Sequence, residues 1–312
     1  MKYKVLISAP YFLPEVGRFR PLFKQYGINL VVPKVRERLE ERELLRLIGD
    51  IDGVICGDDR FTEKVLRAAP RLKVISKWGT GIDSIDRVAC AALGVKLCNT
   101  PNAFTVPVSD SAMAYILCFA RKTPWMDKTM KRGVWKKMPG FSLSEKTLGI
   151  IGVGNTGQAV ARKAVAFGMK VLGNDIKEIG PAFLQETGVA MVSKDEIYRE
   201  ADFISLHCDL NPTSRHLLNQ QVFRRMKKKP VIINTARGPV IKEADLVKAL
   251  KIGLVSGAGL DVFEDEPLPK KSPLLKMDNV LLAPHNSNSS PVAWERVHQN
   301  TVNNLLKGLG VL

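Results

Sequence analysis

Short runs of aliphatic and β-branched residues alternate along the chain with longer segments whose apolar positions recur at helical spacing. In the first hundred residues the strand-type runs fall at 4–8, 29–32, 53–56, 73–76 and 95–98. Between them, 35–48 and 62–69 are rich in helix formers, and Pro70 follows the second as a helix stop. Strands alternating with helices need crossover connections and hence a parallel sheet. The alternation breaks into turn chemistry at Asn99-Thr100-Pro101-Asn102-Ala103, and a helix is expected to open near Ser109-Asp110 and run to about Arg121. A second alternation starts at Thr147 and continues with strands near 170–174, 203–207, 231–234, 257–260 and 280–283. The last segment opens on Ser290-Pro291, a good N-cap and first-turn pair, and sets Val302, Leu305, Leu306 and Leu309 on one apolar stripe. That stripe needs a partner earlier in the chain and is assigned to the first α/β unit. The expected division is a first domain of residues 1–100 plus 286–312 and a second of 101–285.

Composition narrows the function classes. A chain of 312 residues, 45% hydrophobic and 25% charged, is too long for one ordinary core and too apolar for a disordered scaffold. Its longest charge-free apolar stretch near a helix pattern, 112–120, is bracketed by Asp110 and Arg121 and falls far short of a membrane span of roughly 20 residues. The start turns apolar for only a few residues before Pro10, without the apolar core of a signal peptide, so a cytoplasmic location is expected. Cys56, Cys90, Cys98, Cys118 and Cys208 form no close pair and no cluster with the histidines, which suggests neither a metal site nor a disulfide frame. Lysine and arginine exceed the acids by 47 − 31 = 16. The excess is scattered, densest at 128–137 and 224–229, and the interleaved aromatics of a single-strand binder are mostly missing. It reads as a solvated basic face rather than a nucleic-acid surface.

One motif carries clear chemistry. Leu148-Gly149-Ile150-Ile151 runs straight into Gly152-Val153-Gly154-Asn155-Thr156-Gly157 and then into a helix. In this arrangement Gly152 permits a tight turn, Gly154 lets a pyrophosphate approach the backbone and Gly157 lets the helix pack close to the sheet. The helix N-terminus presents its N–H groups to the anion. Eighteen residues beyond Gly157 the next strand ends at Asp175. A carboxylate there accepts the ribose 2′-hydroxyl and repels a 2′-phosphate, which favours NAD over NADP, although Lys177 pulls the other way.

Hydride transfer to a carbonyl further requires a cation to hold the substrate and an acid/base to handle the proton. Arg237 directly follows the strand at 231–234, at the edge where an open α/β sheet places its ligand crevice, and its fork suits a carboxylate. His285 follows 280–283 at the same kind of edge, and Glu266, in Asp261-Val262-Phe263-Glu264-Asp265-Glu266-Pro267, is a carboxylate that could hold its imidazolium. Taken singly, each has a plain structural reading: a post-strand arginine as a surface ion pair, a lone histidine as a packing group, Glu266 as one of three acids in its loop. His207 is read as a structural strand residue.

Together, Gly79-Thr80-Gly81-Ile82-Asp83-Ser84-Ile85-Asp86, Asn99-Thr100-Pro101-Asn102, the glycine loop with Asp175, Thr235-Ala236-Arg237-Gly238, Asp261-Val262-Phe263 with Glu266-Pro267, and Pro284-His285 resemble the D-isomer-specific 2-hydroxyacid dehydrogenases, over nearly the whole chain. The resemblance implies an α/β fold of two doubly wound parallel-sheet domains, a Rossmann NAD-binding domain inserted in a flavodoxin-like substrate domain. It implies an oxidoreductase that interconverts a D-2-hydroxy acid and its 2-oxo acid with NAD, using Arg237, Glu266 and His285 as the catalytic set. It also implies that backbone N–H groups of Thr80 and Gly81 grip the substrate carboxylate alongside Arg237. NAD would be touched by Gly152, Gly154, Asn155, Thr156, Gly157, Asp175, Cys208, Thr235, Ala236 and Asp261, and the chain would form a homodimer on the helix near 109–121.

Two departures stand out. His285-Asn286-Ser287-Asn288 replaces a run of small residues and implies a more polar site floor; Asp209 stands where proline is common, which nothing in the sequence explains. A short-form 3-phosphoglycerate dehydrogenase is the alternative within the class. Against it, Cys56-Gly57-Asp58-Asp59-Arg60 sets two acids beside the single arginine of the loop where such enzymes hold phosphate, with Lys77 as a compensating cation. An NAD-sensing binding protein, like the transcriptional corepressors of this fold, is the alternative outside it.

Overall fold

The computed structural model describes residues 2–312. Among these, the strands form two all-parallel sheets in two compact units, one reaching to Phe104 and resuming as Ser290–Leu312, the other spanning Thr105–Ser289.

In the first unit β1 (Tyr3–Ile7), β2 (Ile28–Val31), β3 (Gly53–Cys56), β4 (Val74–Lys77) and β5 (Lys96–Cys98) pair in the order β2-β1-β3-β4-β5. The order reverses between β1 and β3, the switch point beside which such a sheet holds its ligand crevice. β3 and β4 are buried from end to end, as strands covered on both faces must be. One face packs on Leu44, Ile48, Phe61, Val65 and Ile85. The C-terminal helix Pro291–Leu309, capped by Ser290, closes down on β3 and β4. Its fit is set by small residues: a Cβ on Gly53 would come within 2.9 Å of Leu305. Ser76 Oγ donates to Thr301 O at 2.8 Å, and Trp78 Nε1 donates to His298 Nδ1 at 3.0 Å.

In the second unit β6 (Thr147–Ile151), β7 (Lys170–Asn174), β8 (Ala190–Met191), β9 (Phe203–Leu206), β10 (Val231–Asn234), β11 (Gly257–Leu260) and β12 (Val280–Leu282) pair in the order β12-β11-β10-β9-β6-β7-β8. This is the doubly wound dinucleotide-binding order with one strand added at the β12 edge. The helix Thr105–Arg121 buries Ala112, Met113, Ile116, Phe119 and Ala120 against the sheet. β11 accommodates it through glycine, since a Cβ on Gly259 would meet the Tyr115 ring at 2.8 Å. The expected α/β architecture of two parallel sheets is what the chain adopts.

Several boundaries differ from expectation. The helix expected over 35–48 is confined to Glu41–Leu47, because Pro33 keeps the preceding chain extended and a capping box between Glu40 and Glu43 starts the helix late. A helix over Val16–Gln25 carries Pro21 inside it, which hides it from pattern reading. The linking helix opens at Thr105 rather than near Ser109. The units divide at 104/105 and 289/290 rather than at 100/101 and 285/286. Hydrogen bonds give the reason: Thr100 N reaches Gly79 O and Asn300 Nδ2 reaches Thr100 Oγ1 in the first unit, whereas Asn286 and Ser287 are tied by their amides to Asp261 in the second. No helix among the described residues is long and apolar enough to cross a membrane.

Candidate active site

The register of the second sheet assembles the site. Ile151 lies beside Asn174 and Leu206, Leu206 beside Asn234, and Asn234 beside Leu260. One residue further on, therefore, Asp175, Gly152, His207, Thr235 and Asp261 stand in a rank along the carboxyl edge. Backbone bonds hold the rank: Gly152 N to Asn174 O and His207 N to Ile151 O at 2.8 Å, Asp261 N to Asn234 O at 3.0 Å.

Gly152 has φ +93°, and a Cβ there would lie 2.5 Å from Cys208 N. A Cβ on Gly157 would overlap Gly152 O, so the helix Asn155–Ala166 can approach the strand only through glycine. Gly154 differs: a Cβ there would meet nothing within 4 Å, and as N-cap it supplies no side-chain cap to the helix. The protein does not itself require glycine at 154, but an anion drawn to that helix N-terminus does. Asp175 Oδ2 accepts from Val153 N at 2.6 Å and its Oδ1 from Lys177 N at 2.9 Å, which fixes its carboxylate beside the glycine turn. Thr156 sits in the first turn of that helix and Ala236 in the loop after β10, Ala236 N donating to Asn234 Oδ1 at 3.1 Å. Thr235 Oγ1 and His207 Nδ1 are shielded polar atoms without a hydrogen-bond partner among the described residues. An open glycine at a helix start, a carboxylate after the second strand and an unsatisfied hydroxyl at the crevice together fit NAD.

Burial pushes the His207 imidazole down to about 4, so it is neutral, with Nε2 2.8 Å from Ser205 Oγ. Burial pushes the Cys208 thiol up to about 11, which makes it a packing group and not a nucleophile.

Arg237, Glu266 and His285 lie on three loops that the backbone locks to one another. His285 Nδ1 is 3.0 Å from Glu266 Oε2, and Glu266 Oε1 accepts from Phe263 N at 3.0 Å. Both side chains are mostly covered, at 25% and 20% exposure. The loop of Arg237 meets that of Glu266 at Gly238, where a Cβ would overlap the Phe263 carbonyl. Asn234 stiffens the Arg237 loop by donating to Arg237 O at 2.9 Å, and the Arg237 guanidinium donates to Ala236 O at 2.8 Å. His285 itself has φ +51°, an uncommon backbone for a side-chain-bearing residue. Its N–H donates to Asp261 O at 2.7 Å, and the Asp261 carboxylate accepts from Asn286 N at 2.8 Å and Ser287 N at 2.9 Å. Asp261 thus holds the histidine loop, a task that the sequence, which pairs positions 25 residues apart only through the fold, does not reveal. A second brace also escaped sequence reasoning: His216 Nε2 is 2.6 Å from Glu264 Oε1, while Glu264 and Glu243 each accept the other's backbone N–H.

Thr80 and Gly81 belong to the first unit. There Gly79 turns the chain with φ +116°, Thr80 Oγ1 donates to Thr100 O at 3.0 Å, and Asn99 Nδ2 donates to Thr80 O at 2.6 Å. Thr80 is exposed and Gly81 half-buried, so this stapled loop presents its backbone at the carboxyl edge of β4.

Known proteins resemble this chain over most of its length. Residues 113–287 match the family described as D-isomer specific 2-hydroxyacid dehydrogenase, NAD binding domain. The chain is 36% identical over 274 residues to the glyoxylate reductase of Korarchaeum cryptofilum, covering 85% of this chain and 82% of that relative. It is 40% identical over 264 residues to the D-3-phosphoglycerate dehydrogenase of Methanocaldococcus jannaschii, covering 83% of this chain and 50% of that relative. The D-lactate dehydrogenase of Aquifex aeolicus, solved with NAD and lactic acid, aligns with 99% of this chain and 96% of its own at a TM-score of 0.87 and 27% identity. With its glycine loop, its Arg237, Glu266 and His285 loops, and these similarities, the chain belongs to the D-isomer specific 2-hydroxyacid dehydrogenase family.

Proposed function

We propose that this NAD-dependent 2-hydroxyacid dehydrogenase interconverts a small D-2-hydroxy acid and its 2-oxo acid, of the glyoxylate or hydroxypyruvate kind, with Arg237, Glu266 and His285 as its catalytic set. The observation that carries the reading is the Glu266–His285 pair at 3.0 Å, in a loop locked at Gly238 to the one that bears Arg237. The bound nicotinamide supplies or accepts the hydride. Arg237 orients the substrate by its carboxylate and polarises the carbonyl; a planar fork can serve both oxygens at once. His285, with Nδ1 engaged by Glu266, passes the proton at Nε2: it donates to the carbonyl oxygen in reduction and accepts from the hydroxyl in oxidation. Glu266 fixes the ring and stabilises its cationic form. The amides of Thr80 and Gly81 grip the substrate carboxylate. Asn155 and Thr156 meet the cofactor phosphates, Asp175 the ribose, and Cys208, Thr235, Ala236 and Asp261 line its path.

A homodimer fits the surface of the second unit, where Val106, Met130, Val134 and Trp135 are exposed, the tryptophan at 86%. Large apolar groups left in water mark an association surface.

The test is NADH absorbance with glyoxylate, hydroxypyruvate, pyruvate, 2-oxoglutarate and phosphohydroxypyruvate. Turnover is expected, with NADH ahead of NADPH by more than roughly tenfold in kcat/KM because of Asp175. A protein that binds NADH and reduces none of these acids is a cofactor-sensing module instead, and the catalytic reading is then wrong.

A further inference from the structure

The carboxyl edge of the first unit's sheet carries a charged pair that the catalytic set does not use. Lys77 ends β4 with its side chain almost wholly covered, 6% exposed, while Asp58, after β3, is 43% exposed. Lys77 Nζ donates to Trp78 O at 3.0 Å and stands 3.2 Å from Asp58 Oδ1. A Cβ on Gly79 would lie 3.6 Å from the same nitrogen, so the ammonium rests against the backbone that leads directly into Thr80 and Gly81.

The neighbouring charges are committed elsewhere. Asp59 is fully buried and accepts from Ser8 Oγ at 2.7 Å, from Gly57 N at 3.1 Å and from Leu39 N. Arg60 points to Glu40, with Nε 3.8 Å from its carboxylate. In the loop between β3 and the next helix, Arg60 is exposed and turned toward Glu40, a carboxylate it shares with Arg38, and Asp58 is the acid that faces Lys77. Aromatic rings narrow the same edge: Tyr11 lies 5.3 Å from Trp78 and 5.2 Å from Trp294.

We propose that the Lys77–Asp58 pair reads the substituent on C3 of the substrate, accepting an uncharged hydroxyl and rejecting a phosphate ester; this rests on Thr80 and Gly81 holding the substrate carboxylate. An ammonium beside a carboxylate offers one donor and one acceptor, and a hydroxyl is both acceptor and donor. A phosphate ester, carrying about −1.5 to −2 charges near neutral pH, must instead pull Lys77 away from Asp58 and leave the carboxylate facing like charge. The substrate class is thus the short 2-oxo acids with a C3 hydroxyl, with their phosphorylated counterparts excluded.

The experiment measures kcat/KM with NADH for glyoxylate, hydroxypyruvate and phosphohydroxypyruvate in the parent, Asp58→Asn and Lys77→Met, with thermal midpoints read in parallel. The parent is expected to favour hydroxypyruvate over phosphohydroxypyruvate by at least roughly a hundredfold, and Asp58→Asn to raise the phosphorylated-to-hydroxyl ratio at least roughly tenfold. Lys77→Met is expected to lower hydroxypyruvate relative to glyoxylate by at least roughly tenfold. Because Lys77 is buried, the half-exposed Asp58 carries the test if the lysine variant does not fold. A parent that uses both C3 compounds equally, an unmoved ratio in Asp58→Asn, or a folded Lys77→Met with an unmoved hydroxypyruvate-to-glyoxylate ratio overturns the pair's role alone. A parent that reduces none of the three overturns the proposed function itself, and the pair's role with it.

Discussion

Replacing Asp261 by Asn asks how much of the chemistry depends on a residue whose carboxylate faces backbone and not a proton in flight. Asp261 is 1% exposed, and its two oxygens divide the amides of Asn286 and Ser287 at 2.8 and 2.9 Å. Asparagine keeps one oxygen and turns an NH₂ toward the other amide. One charge-assisted bond becomes a neutral one, a loss of about 1 kcal/mol, and one buried N–H faces another donor, a loss of about 2 kcal/mol. The sum, about 3 kcal/mol, corresponds to a fall of about 6–12 °C in the melting transition of a unit of this size. Relief comes most readily by moving residues 285–287, which carry the imidazole away from Glu266 and cost kcat/KM at least roughly tenfold. Calorimetry and steady-state reduction of glyoxylate on the same preparation read both effects. An Asp261→Asn protein that melts within a degree or two of the parent and turns over within threefold of it would refute the clamp.

Arg237→Lys retains charge but loses the fork, and kcat/KM is expected to fall by at least roughly a hundredfold, about 2.7 kcal/mol of transition-state stabilisation, with NADH affinity nearly unchanged by fluorescence titration; near-parental activity would make Arg237 a surface residue. Glu266→Gln keeps the contact to Phe263 N but removes the charge opposite His285, and kcat is expected to drop by roughly ten- to a hundredfold while KM moves little; an unchanged kcat would separate Glu266 from the proton step. His207 is depressed to about 4 against an ordinary 6.5, so between those values the unfolded chain binds more protons than the folded one. Its contribution makes stability climb as pH rises from 4 to 6.5 and level off above that, by about 3 kcal/mol in all. In His207→Gln that part of the slope should vanish from denaturant unfolding series taken at several pH values, and an identical slope would contradict a neutral buried imidazole.

The sequence made the sheet edges legible because strands of a parallel sheet announce themselves as apolar runs, and Arg237 and His285 come shortly after such runs, the buried β10 and the half-covered edge strand β12. The glycine turn was equally plain as a pattern, since Gly157 answers to the Gly152 carbonyl close by in the chain, although the atoms that crowd Gly152, at His207 and Cys208, are brought there only by the fold. Asp261 was legible as a crevice residue but not as the holder of Asn286 and Ser287, because its partners come from beyond another strand and loop. The same holds for Glu264 with Glu243 and His216, an ion and hydrogen-bond cluster gathered from three separate segments. Within the first unit, the loop acids looked alike in sequence. Only the fold buries Asp59 under three donors and leaves Asp58 to Lys77. The helix Val16–Gln25 stayed hidden because Pro21 argues locally against what packing of Phe19 and Phe23 enforces.

The interruption of the first unit between Phe104 and Ser290 also has a meaning in time. During synthesis β3 and β4 emerge early, but the helix that seats Leu305 on Gly53 is made only after the whole of Thr105–Ser289 has been synthesised. At about 5–20 residues per second, the 205 residues between 104 and 309 take roughly 10–40 s. Throughout that interval β3 and β4 lack the helix that covers them, while the second unit, contiguous in sequence, can complete its own core. The order of the chain therefore lets the second unit complete its core before the first unit can receive its last helix.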